Sequence, residues 1–144
     1  MKFTYWKYAT FWTLLILFYS TDYFSSGTTN SIFANIVNLF YDGLNADQMY
    51  IWHLRFRKCM HFFNYAVLSW LVLFGFTLSL RPLKKWNIRV AFFALCFCLV
   101  CATLDETNQH FSSVRGGTYR DVGLDMVGAM FTQIWYGVRA RIFS

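Results

Sequence analysis

Residues 105–125 read DETNQHFSSVRGGTYRDVGLD, between FFALCFCLVCATL at 92–104 and MVGAMFTQIWY at 126–136. Four carboxylates, two arginines and a histidine share this one stretch, in a chain that otherwise avoids charge. Only 14% of its 144 residues are charged, against about 25% in a soluble domain. With 57% hydrophobic and 22% aromatic residues, the composition is that of a membrane protein. The apolar flanks then read as membrane helices, and the polar stretch between them lies at one membrane face.

Working outward, four segments have the character of a membrane crossing, each needing about 20 mostly apolar residues. They fall at about 5–20, 60–80, 89–110 and 121–138. The fourth is weakened by Asp125 and three glycines. The first carries Lys2 and Lys7 ahead of it, but FYSTDYF offers no small-residue cleavage site, so it reads as an uncleaved anchor. The expected fold is an all-α membrane protein, one domain over 1–144, built as a four-transmembrane-helix bundle. Placing both termini in the cytoplasm puts Lys2, Lys7, Arg81, Lys84, Lys85, Arg89, Arg139 and Arg141 inside. Arg55, Arg57, Lys58, Arg115 and Arg120 then lie outside, which the positive-inside rule favours. The net charge of +6 is mostly cytoplasmic anchoring, and no basic run suggests a nucleic-acid partner.

Helix rise sets the depth of each polar residue. Counted from the loop RPLKKWNIR, Arg81 to His61 spans about 30 Å, Trp86 to Asp105 about 28 Å, and Arg139 to Asp121 about 27 Å. Three helices therefore bring His61, Asp105, Glu106 and Asp121 to one level, the outer interface, with Asp125 one turn deeper. Asp105 and Gln109 share a helix face, as do Asp121, Asp125, Gly128 and Thr132, and as do Arg57, His61 and Tyr65. Gly128 and Ala129 would admit a neighbouring helix closely. The glycines in VRGGTYR suit a tight turn with exposed amides, an anion cradle. A carboxylate as deep as Asp125 has to face the bundle, paired or protonated; Arg115, Arg120 and His61 are its available partners.

Between the first two crossings, NSIFANIVNLFYDGL places Ile32, Phe33, Ile36, Val37, Phe40 and Leu44 on one face and Asn35, Asn38, Asp42 and Asn45 on the other. This is an outer amphipathic helix over about 31–43, capped at Asn30 and ended near Gly43, lying on the membrane or lidding the bundle. Cys98 and Cys101 form a CxxC with Cys96 nearby, but an apolar membrane run is no place for a reactive thiolate. They read as small buried hydrophobes. No second Cys/His pair stands at zinc-finger spacing.

RKCMHFFNYAVLSWLV at 57–72 resembles the RK-x-x-H-F start of a helix in the VanZ-like family of bacterial membrane proteins. DETNQHFSSVRGGTYRDVGLDMVGA at 105–129 resembles that family's D-E-x-x-Q-x-F, R-x-G and D-V-x-x-N-x-x-G series, in the same order. The matching positions are Arg57, Lys58, His61, Phe62, Asp105, Glu106, Gln109, Phe111, Arg115, Gly117, Asp121, Val122 and Gly128. Asn108 stands where the family often has His, Asp125 where Asn is usual, and Thr132 where a second Gly is common. The resemblance implies a multi-pass protein of the bacterial cytoplasmic membrane, linked through the family's namesake to teicoplanin susceptibility.

Residues and resemblance together give one expected site, facing outward. Glu106, Asp105, His61 and Asp121 are its acid–base candidates. Arg57, Lys58, Gln109, Arg115, Arg120 and Asp125 are its binding candidates, Arg115 and Arg120 with the glycine turn for a phosphate or carboxylate. The expected partner is a lipid or lipid-linked envelope molecule, its tail in the bilayer. Five nearby basic residues argue against a required metal, and none is expected. The alternative is a divalent ion held by His61 with Asp105, Glu106, Asp121 and Asp125, Mg²⁺ or Ca²⁺ on oxygen and Zn²⁺ or Mn²⁺ on the mixed set. The expected activity is that of an acid–base hydrolase or transferase at the outer leaflet; two readings compete with it, a pocket that binds such an amphiphile unchanged and an ion-pair network that only fixes helix register.

Overall fold

A computed structural model describes residues 6–21, 26–40, 43–79, 86–111 and 118–142. Among them the chain forms five helices and no strand: α1 (Trp6–Tyr19), α2 (Ser26–Asn38), α3 (Ala46–Ser79), α4 (Ile88–Phe111) and α5 (Tyr119–Ile142). Arg115, the VRGG turn, Asp22, Asp42 and the RPLKK loop lie outside the described residues. α3 and α4 are long and apolar enough to cross a membrane. Many large apolar side chains face outward along them, Trp70, Phe92 and Leu104 included. This is an all-α, membrane-type fold.

The largest correction concerns α3, which begins at Ala46 and runs for 34 residues, where the sequence suggested a start near 60. Membrane hydropathy fails over HLRFRK, yet a helix needs no apolar run to form. Its start is fixed by a capping box. The Gln48 amide donates to Asn45 Oδ1 at 2.9 Å, and the Asn45 amide donates to Gln48 Oε1 at 3.1 Å. At about 51 Å, α3 exceeds a hydrocarbon core of about 30 Å. α2 starts at Ser26, ahead of the expected cap at Asn30, and ends at Asn38, short of Gly43. Its last turn closes with tighter bonds from the Leu39 and Phe40 amides to Ile36 and Val37. α5 also extends past its expected ends, from Tyr119 to Ile142.

The core gathers on α3, α4 and α5, with α1 against one side. Tyr65, Leu68 and Val72 of α3 meet Ala94, Cys98, Cys101 and Ala102 of α4, Ala129 of α5, and Ala9 and Ile16 of α1. Cys98 and Cys101 are buried free cysteines, as their apolar context required. α3 packs most extensively against α5, and Gly128 explains how. A Cβ there would fall on the carbonyl of Phe62, 3.0 Å from its carbon. The two backbones touch, which only a residue without a side chain allows. Polar side chains complete the seam. The Thr132 hydroxyl donates to Ala66 O at 2.9 Å and the Ser69 hydroxyl to Ala129 O at 3.0 Å, while Gln133 Nε2 donates to Ser69 Oγ at 2.8 Å. α1 is fastened to α3 by two indoles: Trp6 donates to Ser79 Oγ and Trp12 to Asn64 O.

Candidate functional site

The α3–α5 contact at Gly128 sets the spacing of everything one to two turns away. It turns the Asp121, Asp125, Gly128 and Thr132 stripe of α5 onto α3. Asp125 Oδ1 comes to rest 3.3 Å from His61 Nδ1, and Asp105 Oδ2 of α4 lies 3.8 Å from the same nitrogen. Three helices thus converge on one imidazole. Asp105 and Asp125 are almost wholly buried, and His61 is partly open.

Each carboxylate has its own surroundings. Asp105 Oδ1 accepts from Gln109 Nε2 at 3.2 Å, and Oδ2 lies 3.5 Å from the hydroxyl of fully buried Tyr65. Its backbone carbonyl also accepts from the Ser20 hydroxyl at the end of α1, at 3.1 Å. Glu106 Oε2 accepts from the Thr118 amide at 2.9 Å, so this side chain closes the N-terminus of α5. Thr118 Oγ1 donates to Asp121 Oδ2 at 2.9 Å. Asp121 Oδ1 stands 3.7 Å from Lys58 Nζ, whose side chain is 65% exposed, a pair worth about 0–1 kcal/mol. Asp121 therefore belongs to the rim, one turn from the buried group. Glu106 Oε1 and both oxygens of Asp125 are buried and receive no hydrogen bond among the described residues. The contact from His61 to Asp125 has the distance of an ion pair without hydrogen-bond alignment.

The cluster stands at the side of a cavity of about 690 Å³. α1, α2 and α3 supply its apolar wall through residues such as Trp12, Leu15, Phe33, Ile36, Phe56 and Met60. Its polar end is His61, Asp105, Gln109, Tyr65, Asn64, Arg57 and His53. α2 forms part of that wall. Phe33 packs its ring on His53 at 5.5 Å and on Phe56 at 5.4 Å.

Of the residues singled out in the sequence, His61, Asp105, Glu106 and Asp125 come together, with Gln109 on Asp105 and with Asp121 and Lys58 one turn outward. Arg57 lines the cavity one turn before His61 on the same face of α3. Arg120 is exposed on the first turn of α5 and makes no ion pair among the described residues; of the candidates the structure describes, His61 is the one beside Asp125, and Arg115 lies outside the described residues. Four residues were missed. Tyr65 was legible, since it lies one turn from His61 on the Arg57 stripe. Thr118 was legible as the cap of TYRD. Ser20 and His53 had no sequence signal, because only the packing of α1 and α2 brings them here.

No curated protein matches the chain, and no solved structure does. The VanZ/LLP1 family matches over residues 5–139, which covers α1 to α4, most of α5 and every residue of the cluster. The chain belongs to the VanZ/LLP1 family of membrane proteins.

Proposed function

We propose that this protein takes an amphiphilic, lipid-linked component of the cell envelope into the cavity between α1, α2 and α3, and acts on its polar head. One observation carries the reading: a single cavity has an apolar wall from three helices and, among its polar lining, a part-open imidazole beside a buried carboxylate. Ligand sites are typically of this kind, mostly apolar with a few convergent polar groups. Asp105 and His61 meet the head and exchange its proton, and Arg57 holds an anionic group on it. Glu106 ties the start of α5 to α4, and Asp121 caps that start and faces Lys58 of α3. A lipoglycopeptide such as teicoplanin, with an acyl tail and a polar head, has the same chemistry, so susceptibility to it is the cellular readout.

The experiment is co-purification. Mass spectrometry of the protein extracted in mild detergent should find a lipid-linked envelope component enriched over bulk phospholipid. Ile36→Trp narrows the cavity from α2 and should reduce that enrichment several-fold. Bulk phospholipid alone in the wild-type protein, or equal enrichment in both proteins, would defeat the reading.

The proposal includes a topology, with four crossings by α1, α3, α4 and α5 and the cluster outward. α4 and α5, at about 36 Å each, have the length for it. α1, 14 residues in the structure, would tuck against α3 within the bilayer. In a background without the native cysteines, Ser113→Cys should react with an impermeant maleimide from outside the cell and Ser144→Cys should not. Labelling of the Ser144 position from outside would overturn the topology.

A further inference from the structure

The charge at the cluster does not balance among the described residues. Asp105, Glu106 and Asp125 are buried with one imidazole between them, and Lys58 is engaged with Asp121 at the rim. Isolated buried carboxylates are costly, so such groups are protonated, paired or coordinate metals, and three around one imidazole leave room for an ion. One ligand atom each from His61, Asp105, Glu106 and Asp125 lies within 4.8 Å of all the others. Ligands about 2.0–2.2 Å from a common Zn²⁺ stand roughly 3.4 Å apart in a tetrahedral shell. The separations of 3.3 and 3.8 Å from His61 Nδ1 are already close to that value. A contraction of the wider ones closes the set.

A second observation points the same way. Asp125 is fully buried and aimed into this group, yet among the described residues neither of its oxygens receives a hydrogen bond, and buried Glu106 Oε1 receives none either. Their partners elsewhere are in place: Gln109 and Tyr65 orient Asp105, and the Thr118 amide holds the other oxygen of Glu106. Supporting bonds of this kind orient metal ligands and leave the remaining lone pairs for the ion.

We infer that His61, Asp105, Glu106 and Asp125 form a site for one divalent metal ion, of the Zn²⁺ or Mn²⁺ type, at the polar end of the cavity. One imidazole nitrogen with three carboxylate oxygens and no thiolate selects that class. Asp121 lies outside the set, because Lys58 and Thr118 hold it. The inference departs from the expectation that basic residues make a metal unnecessary. It rests on the proposed function and changes one role in it: with an ion bound, His61 and Asp105 carry the ion in place of exchanging a proton, and the head group, best an anionic phosphate-class one, meets the ion.

The test measures the ion alone, so it can fail while the amphiphile reading stands. Protein in detergent is stripped with a chelator, dialysed against micromolar Zn²⁺ or Mn²⁺, and assayed by elemental analysis and thermal melting. Wild type should retain about one ion per chain and melt higher than the stripped form. Asp125→Asn and His61→Gln should each weaken retention at least tenfold, while Asp121→Asn retains it. Circular dichroism of each stripped variant confirms that it is folded. If either does not fold, the wild-type titration stands as the measurement. Absence of stoichiometric retention of either ion by the wild type would overturn the site. Retention unchanged in folded Asp125→Asn and His61→Gln would assign the ion to adventitious surface groups, and equally overturn it.

Discussion

Gly128→Ala destabilises the protein by about 2–3 kcal/mol, while Gly123→Ala, earlier on another face of the same helix, stabilises it by about 0.5–1 kcal/mol. Both exchanges gain the same helix propensity, so the difference is packing alone. A methyl at position 123 meets nothing within 4 Å. A methyl at 128 lands on the Phe62 carbonyl, a backbone atom within α3 that has no rotamer to change. α5 then has to slide or lift, and the Ser69, Thr132 and Gln133 bonds of the seam stretch with it. The upper part of the usual overpacking range follows. Melting of both variants in one detergent checks it, and a higher melting temperature for Gly128→Ala would contradict the close approach of the two backbones.

Asp105→Asn removes the proposed function without unfolding the chain. An asparagine keeps the shape of the side chain. Its oxygen still accepts from Gln109, and its amide nitrogen can donate to the Tyr65 hydroxyl. What it loses is the charge beside His61 and the capacity to exchange a proton. General acid–base groups contribute about 10²–10⁴-fold, or roughly 3–5 kcal/mol, so the cellular effect of the protein should vanish. Asn64→Asp adds a charge within the same cavity wall and serves as the converse control. It should weaken retention of an anionic amphiphile and leave the helix bundle intact, as co-purification and melting would show.

The sequence yielded the level of the site more readily than its walls. Depth follows from helix rise, a property of the backbone alone. Counting from the RPLKKWNIR loop therefore put His61, Asp105, Glu106 and Asp121 at one level before any packing was known, and the faces of Asp121, Asp125, Gly128 and Thr132 followed from a 3.6-residue period; the structure draws Asp125 into the group and leaves Asp121 at the rim with Lys58. The start of α3 was obscured because HLRFRK breaks the apolar run, although Asn45 and Gln48 carry the capping signal in plain view. α2 was legible as an amphipathic helix but not in its limits. SGTTN has weak helix propensity, and the helix extends through it regardless. The cavity was not legible at all. Its wall combines Trp12, Phe33 and Met60 from three helices, and no period within one segment encodes how three segments pack.

The central claim is that the buried His61–Asp105–Asp125 group serves a ligand and is more than a brace for the bundle. Breaking a buried ion pair that serves only as a brace costs about 3–5 kcal/mol. The most direct measurement sets two readouts side by side for Asp105→Asn: melting temperature in detergent, and lipoglycopeptide susceptibility of cells at matched protein level. The account predicts a melting temperature within a few degrees of wild type together with complete loss of the effect on susceptibility. A large fall in melting temperature, with susceptibility changing only in proportion to surviving protein, would contradict it.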